Sequence, residues 1–325
     1  MALNEQQALM QAAVFELAAN GEQSDLATDY AVCREIMLNA SKNYTFASKV
    51  LPKDKLHHVE ALYAVMRVGD DRVDVSHEGF SSPQAAIRDW HESYRRAFET
   101  GDSHYPVLRA YLHTAQKFDI PPGLLEPYFR AMQEDLTITR FATFDDLLHY
   151  MEGSAMTVGR VMAHILGTHT EQVSEVYPQA DALSIAMQLS NFWRDVGQDW
   201  GIERVYIPQE DMARFGVSED DLADQRITPA FIQLMEFEFE RTEEYYRQAR
   251  HGVYNLADGR WGVMSALEIY RAILFSVRRN GYNVFTVRAG TSTWQKIGLV
   301  SRAWWLTRRN QPLKAPQQEN APSNP

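Results

Sequence analysis

The sequence predicts an all-α, single-domain protein. Apolar residues recur at helical spacing over most of the chain, alternating β-branched runs are nearly absent, and no Asn-Gly or Asp-Gly joins two such runs. Length agrees: 325 residues, 45% hydrophobic and 11% aromatic, can bury one full core. No repeat of roughly 20 to 50 residues is present, which argues against a solenoid.

The first helical pattern runs from Leu26 to Ser48 and stops at the turn signal LPKD; the second spans Asp54 to Ser76. SSP starts a third at Pro83, which continues to Thr100, and Pro106 starts a fourth that reaches Phe118, since proline suits the first turn of a helix. IPPG separates these from Leu124 to Leu136 and Phe144 to Leu166. VYP precedes Ala180 to Trp200, ITP precedes Pro229 to Tyr254, and ADGR precedes Trp261 to Phe285. After Arg309 the chain reads NQPLKAPQQENAPSNP, so residues 1–309 are expected to fold and 310–325 to form a disordered tail.

A formal charge of −11 argues against a nucleic-acid surface. The single cysteine, Cys33, excludes an internal disulfide framework or a cysteine zinc cluster. The N-terminal stretch MALNEQQALMQAAVFELAANGEQ has neither the basic region nor the apolar block of a secretory signal, and no apolar run approaches the roughly 20 residues that span a bilayer. A soluble, cytoplasmic protein is expected, with a peripheral position at the inner face of the membrane as an option. No G-x-G-x-x-G or G-x-x-x-x-G-K-[ST] string signals a nucleotide fold. His57 and His58 lack zinc spacing and are expected on the surface.

Two stretches carry chemistry. In LYAVMRVGDDRVDVS, Tyr63, Arg67, Asp70 and Asp74 fall at i, i+4, i+7 and i+11 and share one helix face, with Asp71 beside it. Carboxylates four apart repel one another, so a positive partner is expected on them. QLSNFWRDVGQDW repeats the pattern: Asn191, Asp195 and Asp199 stand at i, i+4 and i+8, with Gln188 one turn earlier and Arg194 adjacent. Two acidic faces set across a helical bundle suit hard divalent cations, which take oxygen ligands and retain waters that a phosphate can replace. Arg67 and Arg194 would supply fixed positive charge for phosphate oxygens.

The pair YAVMRVGDDRVD and NFWRDVGQDW, followed by RVYIPQEDM, resembles the squalene and phytoene synthases, head-to-head prenyl synthases with two aspartate-rich motifs on facing helices. The resemblance runs from about Ser41 to about Arg288. It implies an isoprenoid-synthase helical bundle around a central cavity. It also implies a reaction in which one prenyl diphosphate ionises, a second captures the allyl cation to give a cyclopropyl diphosphate, and that intermediate ionises and rearranges. Carried over to this chain, it implies metal-binding roles for Asp70, Asp71, Asp74, Asp195 and Asp199, and diphosphate binding by Arg67 and Arg194. Tyr63, Tyr150, Tyr206 and Tyr270 match cavity tyrosines near the diphosphates, although each also suits ordinary core packing. Gln188 and Asn191 match polar groups at the second motif, Ser41 and Tyr44 in SKNYTFASKVLP match a segment that closes over one diphosphate, and Arg288 in NVFTVRAG matches a further diphosphate contact. Mg2+, with Mn2+ as an alternative, is the implied cofactor, and NADPH is implied only if the product is squalene.

The chain departs from the family pattern at Asn43, Gln198 and Met156, and Met156 is expected to narrow the substrate tunnel. Its details are divided: NFW and DW are similar to the hydroxysqualene-forming branch, whereas Arg194 and YRAILFSVRRNGYNVF are similar to phytoene synthases. The expected product is phytoene from two geranylgeranyl diphosphates. The alternative is squalene, dehydrosqualene or hydroxysqualene from farnesyl diphosphate. A chain-elongating synthase or terpene cyclase would not carry RVYIPQ, and an assembly factor of the same fold would not need all four matched aspartates. Finally, TWQKIGLVSRAWWLTRR interleaves Trp294, Ile297, Trp304 and Trp305 with Lys296, Arg302, Arg308 and Arg309. It reads either as a membrane-surface helix or as a terminal helix packed on the bundle.

Overall fold

A computed structural model of the chain describes residues 25–40, 49–74 and 79–309. Among these no β-strand occurs, only two isolated bridges, Arg140 with Val205 and Thr168 with Leu256. The N-terminal stretch, Ser41, Asn43 and Tyr44, the ends of the first two expected helices, and the tail from residue 310 lie outside the described residues.

In chain order the helices are α1 (Leu26–Ala40), α2 (Lys53–Asp74), α3 (Pro83–Thr100), α4 (Pro106–Lys117), α5 (Glu126–Glu134), α6 (Phe144–Met151), α7 (Thr157–Leu166), α8 (Tyr177–Trp200), α9 (Gln209–Phe215), α10 (Glu219–Ala223), α11 (Pro229–Val253), α12 (Arg260–Arg279) and α13 (Thr293–Arg309). Caps explain the best-defined starts. Ser82, Thr143, Ser218 and Thr228 each accept a main-chain N–H of the first turn, and proline follows directly at Pro83 and Pro229. The bundle is built around α2 and α8: α2 packs on α1, α3, α4 and α7, and α8 on α7, α11 and α12.

Three sequence expectations are corrected. The helix expected through Phe285 ends at Arg279, because Gly281 (φ 64°) and Tyr282 (φ 61°) turn left-handed and bond back to Arg278 and Val277. The apolar pattern continues through Val284 and Phe285, and it is this that hides the stop. The single helix expected over Phe144 to Leu166 is interrupted by a π-helical turn, Glu152–Met156. There Gly153 faces α5 so closely that a Cβ would fall 1.9 Å from the Pro127 carbonyl oxygen. Lastly, His58 is fully buried rather than on the surface. Lys117 Nζ donates to its Nε2 (3.1 Å), and Nδ1 faces Thr114 Oγ1 (2.9 Å), whose own proton goes to the Ala110 carbonyl. That arrangement keeps the ring neutral, and burial, followed by the charges of His57 and Lys117, pushes its pKa down to about 3. The sequence shows the face of α2 but not that α1 and α4 cover it.

Candidate active site

Tyr63, Arg67 and Asp70 project from α2 into a cavity of about 330 Å3, which also takes Gln188 and Asn191 from α8 and Tyr270 from α12. The rest of its wall is mostly apolar, including Met66, Val158, Met162, Leu183, Met187 and Val263. Its size and composition fit a small-molecule site with a polar end. Ser154 and Ala155 reach the wall from the π turn, so the helix break that the sequence does not show shapes the chamber. Met156 is not among the lining residues, which corrects the expectation that it narrows the tunnel; it packs against the core from the end of the π turn. The methionines on the wall are Met66, Met162 and Met187.

The positive partners expected on the acidic faces are present. Arg67 reaches Asp71 at 2.5 Å, one helical turn on. Burial pushes Asp70 up to about 7, against the pull of Arg67 and of the Tyr128 hydroxyl 3.2 Å from its Oδ1. On α8, Asp195 is gripped from two sides: Arg194 donates to both its oxygens, and Arg288 donates through Nε and Nη2 at 2.9 Å each. Burial would raise the Asp195 carboxyl, but these bonds outweigh it and hold it below the ordinary range. Burial and the neighbouring Asp195 charge push Asp199 up to about 7.

Arg288 arrives by a route that depends on tertiary structure. After α12 the chain crosses α8 at Gly197, whose N–H donates to the Val284 carbonyl (3.3 Å), and a Cβ on Gly197 would fall 2.7 Å from Phe285 Cα. The crossing lands Arg288 on Asp195.

Arg204, which the sequence reading did not single out within RVYIPQ, joins the two faces. Its N–H donates to the Asp199 carbonyl (2.8 Å), and its guanidinium lies 3.8 Å from Asp74 Oδ1 and 3.5 Å from Asp135 Oδ1 and donates to the Tyr206 hydroxyl (3.2 Å). Asp135, also not anticipated, accepts the Tyr150 hydroxyl proton at 2.8 Å, and burial pushes it up to about 6. Tyr150 and Tyr206 therefore belong to this polar cluster and not to the cavity wall; Tyr206 stacks on Phe192 at 3.9 Å. Only charge juxtaposition could have signalled Arg204, and nothing in QEDL marks Asp135.

Among the described residues, no three His, Cys, Asp or Glu side chains converge as a ready metal cage. The donor set is nonetheless all carboxylate oxygen, the chemistry of hard divalent cations, and the side chains paired with Asp71, Asp74 and Asp195 are guanidinium groups, cations that stand where positive charge is wanted. The residues fit such an ion.

A family model described as squalene/phytoene synthase matches residues 37–295. The phytoene synthase of Arthrospira platensis is 32% identical over 279 residues, covering 82% of this chain and 90% of the relative. The 15-cis-phytoene synthase of Synechococcus elongatus is 30% identical over 290 residues, covering 84% and 92%. A crystal structure of a dehydrosqualene synthase with bound ligand superposes with a TM-score of 0.81 at 27% identity, covering 88% of this chain and 98% of that one. The squalene synthase of Alicyclobacillus acidocaldarius superposes at 0.72 and 28%, covering 82% and 99%.

Proposed function

Because this chain belongs to the squalene/phytoene synthase family, whose model it matches over residues 37–295, we propose that it condenses two geranylgeranyl diphosphates head to head to phytoene. The chain is a prenyltransferase, and its substrates are prenyl diphosphates. One observation carries the reading of the site: α2 and α8 present Arg67, Asp70, Gln188 and Asn191 at the polar end of one apolar cavity. The twenty-carbon substrate is supported by the phytoene synthases among its relatives.

The proposed chemistry follows from charge. Ionising a carbon–oxygen bond leaves diphosphate negative and the prenyl chain positive, so stabilising the leaving group dominates. Asp70, Asp74, Asp195 and Asp199, with Asp71 beside them, would hold Mg2+, which when bound supplies positive charge to the diphosphate oxygens. Arg67 lines the cavity, and Arg194, Arg204 and Arg288, which are not among its lining residues but pair with Asp195 and Asp74, would add fixed donors to those oxygens. Gln188 and Asn191 would orient the diphosphate by hydrogen bonds. The apolar wall keeps water from the cation, and the rings of Tyr63 and Tyr270 offer it aromatic faces worth roughly 0.5–2 kcal/mol each.

The test is product mass from purified enzyme given geranylgeranyl or farnesyl diphosphate, with and without NADPH and Mg2+. Phytoene from the twenty-carbon substrate is expected, without need of NADPH. Its absence alongside a thirty-carbon product would favour the second reading, a fifteen-carbon substrate, for which the dehydrosqualene synthase superposition speaks.

No helix among the described residues is long and apolar enough to cross a membrane. Peripheral contact is proposed through α13, which buries only Ala303 and leaves Trp294 82%, Trp304 43% and Trp305 47% exposed beside Lys296, Arg302, Arg308 and Arg309. This helix lies on α12, where Trp261 donates to the Val300 carbonyl (3.0 Å), and α12 lines the cavity through Gly262, Val263 and Ala266. An apolar product would have a short way to lipid. Vesicles containing phosphatidylglycerol should sediment the wild-type chain and leave a Trp304→Ser/Trp305→Ser variant in solution; equal binding would remove α13 from the account.

A further inference from the structure

Asp135 is the first residue beyond α5, and its carboxylate is only 10% exposed. Its Oδ1 accepts the Tyr150 hydroxyl at 2.8 Å and lies 3.5 Å from Arg204 Nη1, while its main-chain carbonyl accepts Arg204 Nη2 at 3.0 Å. Both ends of the guanidinium are thereby held. The same guanidinium reaches Asp74 at the end of α2, and the same residue's N–H is bonded to Asp199 at the end of α8. One buried side chain fixes a phenol from α6 and the arginine that spans the two acidic faces. Asp135 itself does not line the cavity.

We propose that Asp135 is a positioning residue for the condensation, acting through Arg204 and Tyr150 without touching substrate. The proposal rests on the condensation reading above. Two consequences follow from the bonding. The Tyr150 proton is committed to Asp135, so that phenol turns only oxygen lone pairs toward anything else near it. Arg204 is held by the Asp135 carboxylate together with the Asp135 main-chain carbonyl, Asp74 and the Tyr206 hydroxyl. Without that carboxylate it keeps the other three but loses the counter-charge on Nη1, and with it part of the pre-organisation on which such sites depend.

The substitutions separate the two contacts. Asp135→Asn keeps an acceptor for the Tyr150 hydroxyl and removes the counter-charge of Arg204; Asp135→Ala removes both. With the full-length enzyme and geranylgeranyl diphosphate, D135N should lower kcat about 10-fold and D135A about 100-fold, the scale expected of ångström-level misplacement. Circular dichroism should remain wild-type. The decisive readout is the cycle: the D135N loss should shrink to under about 3-fold in an Arg204→Gln background, and the additional loss of D135A over D135N should disappear in a Tyr150→Phe background. Losses that multiply independently in those backgrounds, or D135N and D135A with wild-type kcat and KM, would overturn the proposal. If D135A does not fold, the isosteric D135N and its cycle with R204Q decide alone. Wild-type enzyme that turns over no prenyl diphosphate would overturn the underlying reading and this proposal with it; wild-type turnover with independent losses overturns only this one.

Discussion

Replacing Asp199 by asparagine should lower turnover on the order of 100- to 1,000-fold, the scale of removing one electrostatic contact to a developing charge, while raising the melting temperature of chelator-treated enzyme at pH 8. The opposite signs have one cause. Burial and the nearby Asp195 push Asp199 up to about 7, so at pH 8 the folded protein holds an ionised carboxylate in surroundings that disfavour it. Its folded pKa lies above the ordinary value of about 3.9, so the folded state binds the extra proton between the two values. Stability from this group therefore rises as pH falls through about 7, and the gain from asparagine is greatest above 7 and fades toward pH 4. A shift of a few degrees is expected, since about 1 kcal/mol corresponds to roughly 2–4 °C in domains of this general size. Scanning calorimetry at pH 8 and pH 5 with and without the substitution measures it. Lower stability at both pH values would mean that Asp199 serves the fold and not the site.

Gly197→Ala should produce the second large effect, by a steric route. A Cβ at this position would stand 2.7 Å from Phe285 Cα and 2.9 Å from the Val284 oxygen, and both are backbone atoms that cannot rotate away. The 284–288 segment must lift off α8, at a cost of about 1–3 kcal/mol for a misfitted group in a packed contact. Lifting it removes the hydrogen bond from Gly197 to Val284 and withdraws Arg288 from Asp195. Turnover should fall with the melting temperature, and Arg288→Ala should reproduce the loss of turnover but not the loss of stability, since Arg288 is more than half exposed. Wild-type melting and turnover in G197A would show that the crossing is not needed.

The all-α class was legible because helical periodicity and proline or serine starts are local: Pro83, Pro106, Phe144 and Pro229 begin helices where the sequence places them. So was each acidic face, since the spacing of Tyr63, Arg67, Asp70 and Asp74 fixes their shared side of α2 whatever surrounds it. Local spacing could not show what meets those faces. Arg288 reaches Asp195 only because the chain turns left-handed at Gly281 and crosses Gly197, and Arg204 reaches Asp74 only because the turn that follows α8 carries its guanidinium to the end of α2. The same limit hid the burial of His58 under α1 and α4 and the part played by Asp135, which lies 15 residues before Tyr150 and 69 before Arg204.

By itself, then, the sequence determined the helices, the two acidic faces and the chemistry those faces suit, because each is set by residues within a few turns of one another. The tertiary structure alone decided which arginine holds which aspartate, which tyrosines face the cavity and where the helix break opens its wall. Those depend on atoms brought within 3–4 Å from distant parts of the chain, and on burial that moves carboxylate pKa values only after the core has closed around them.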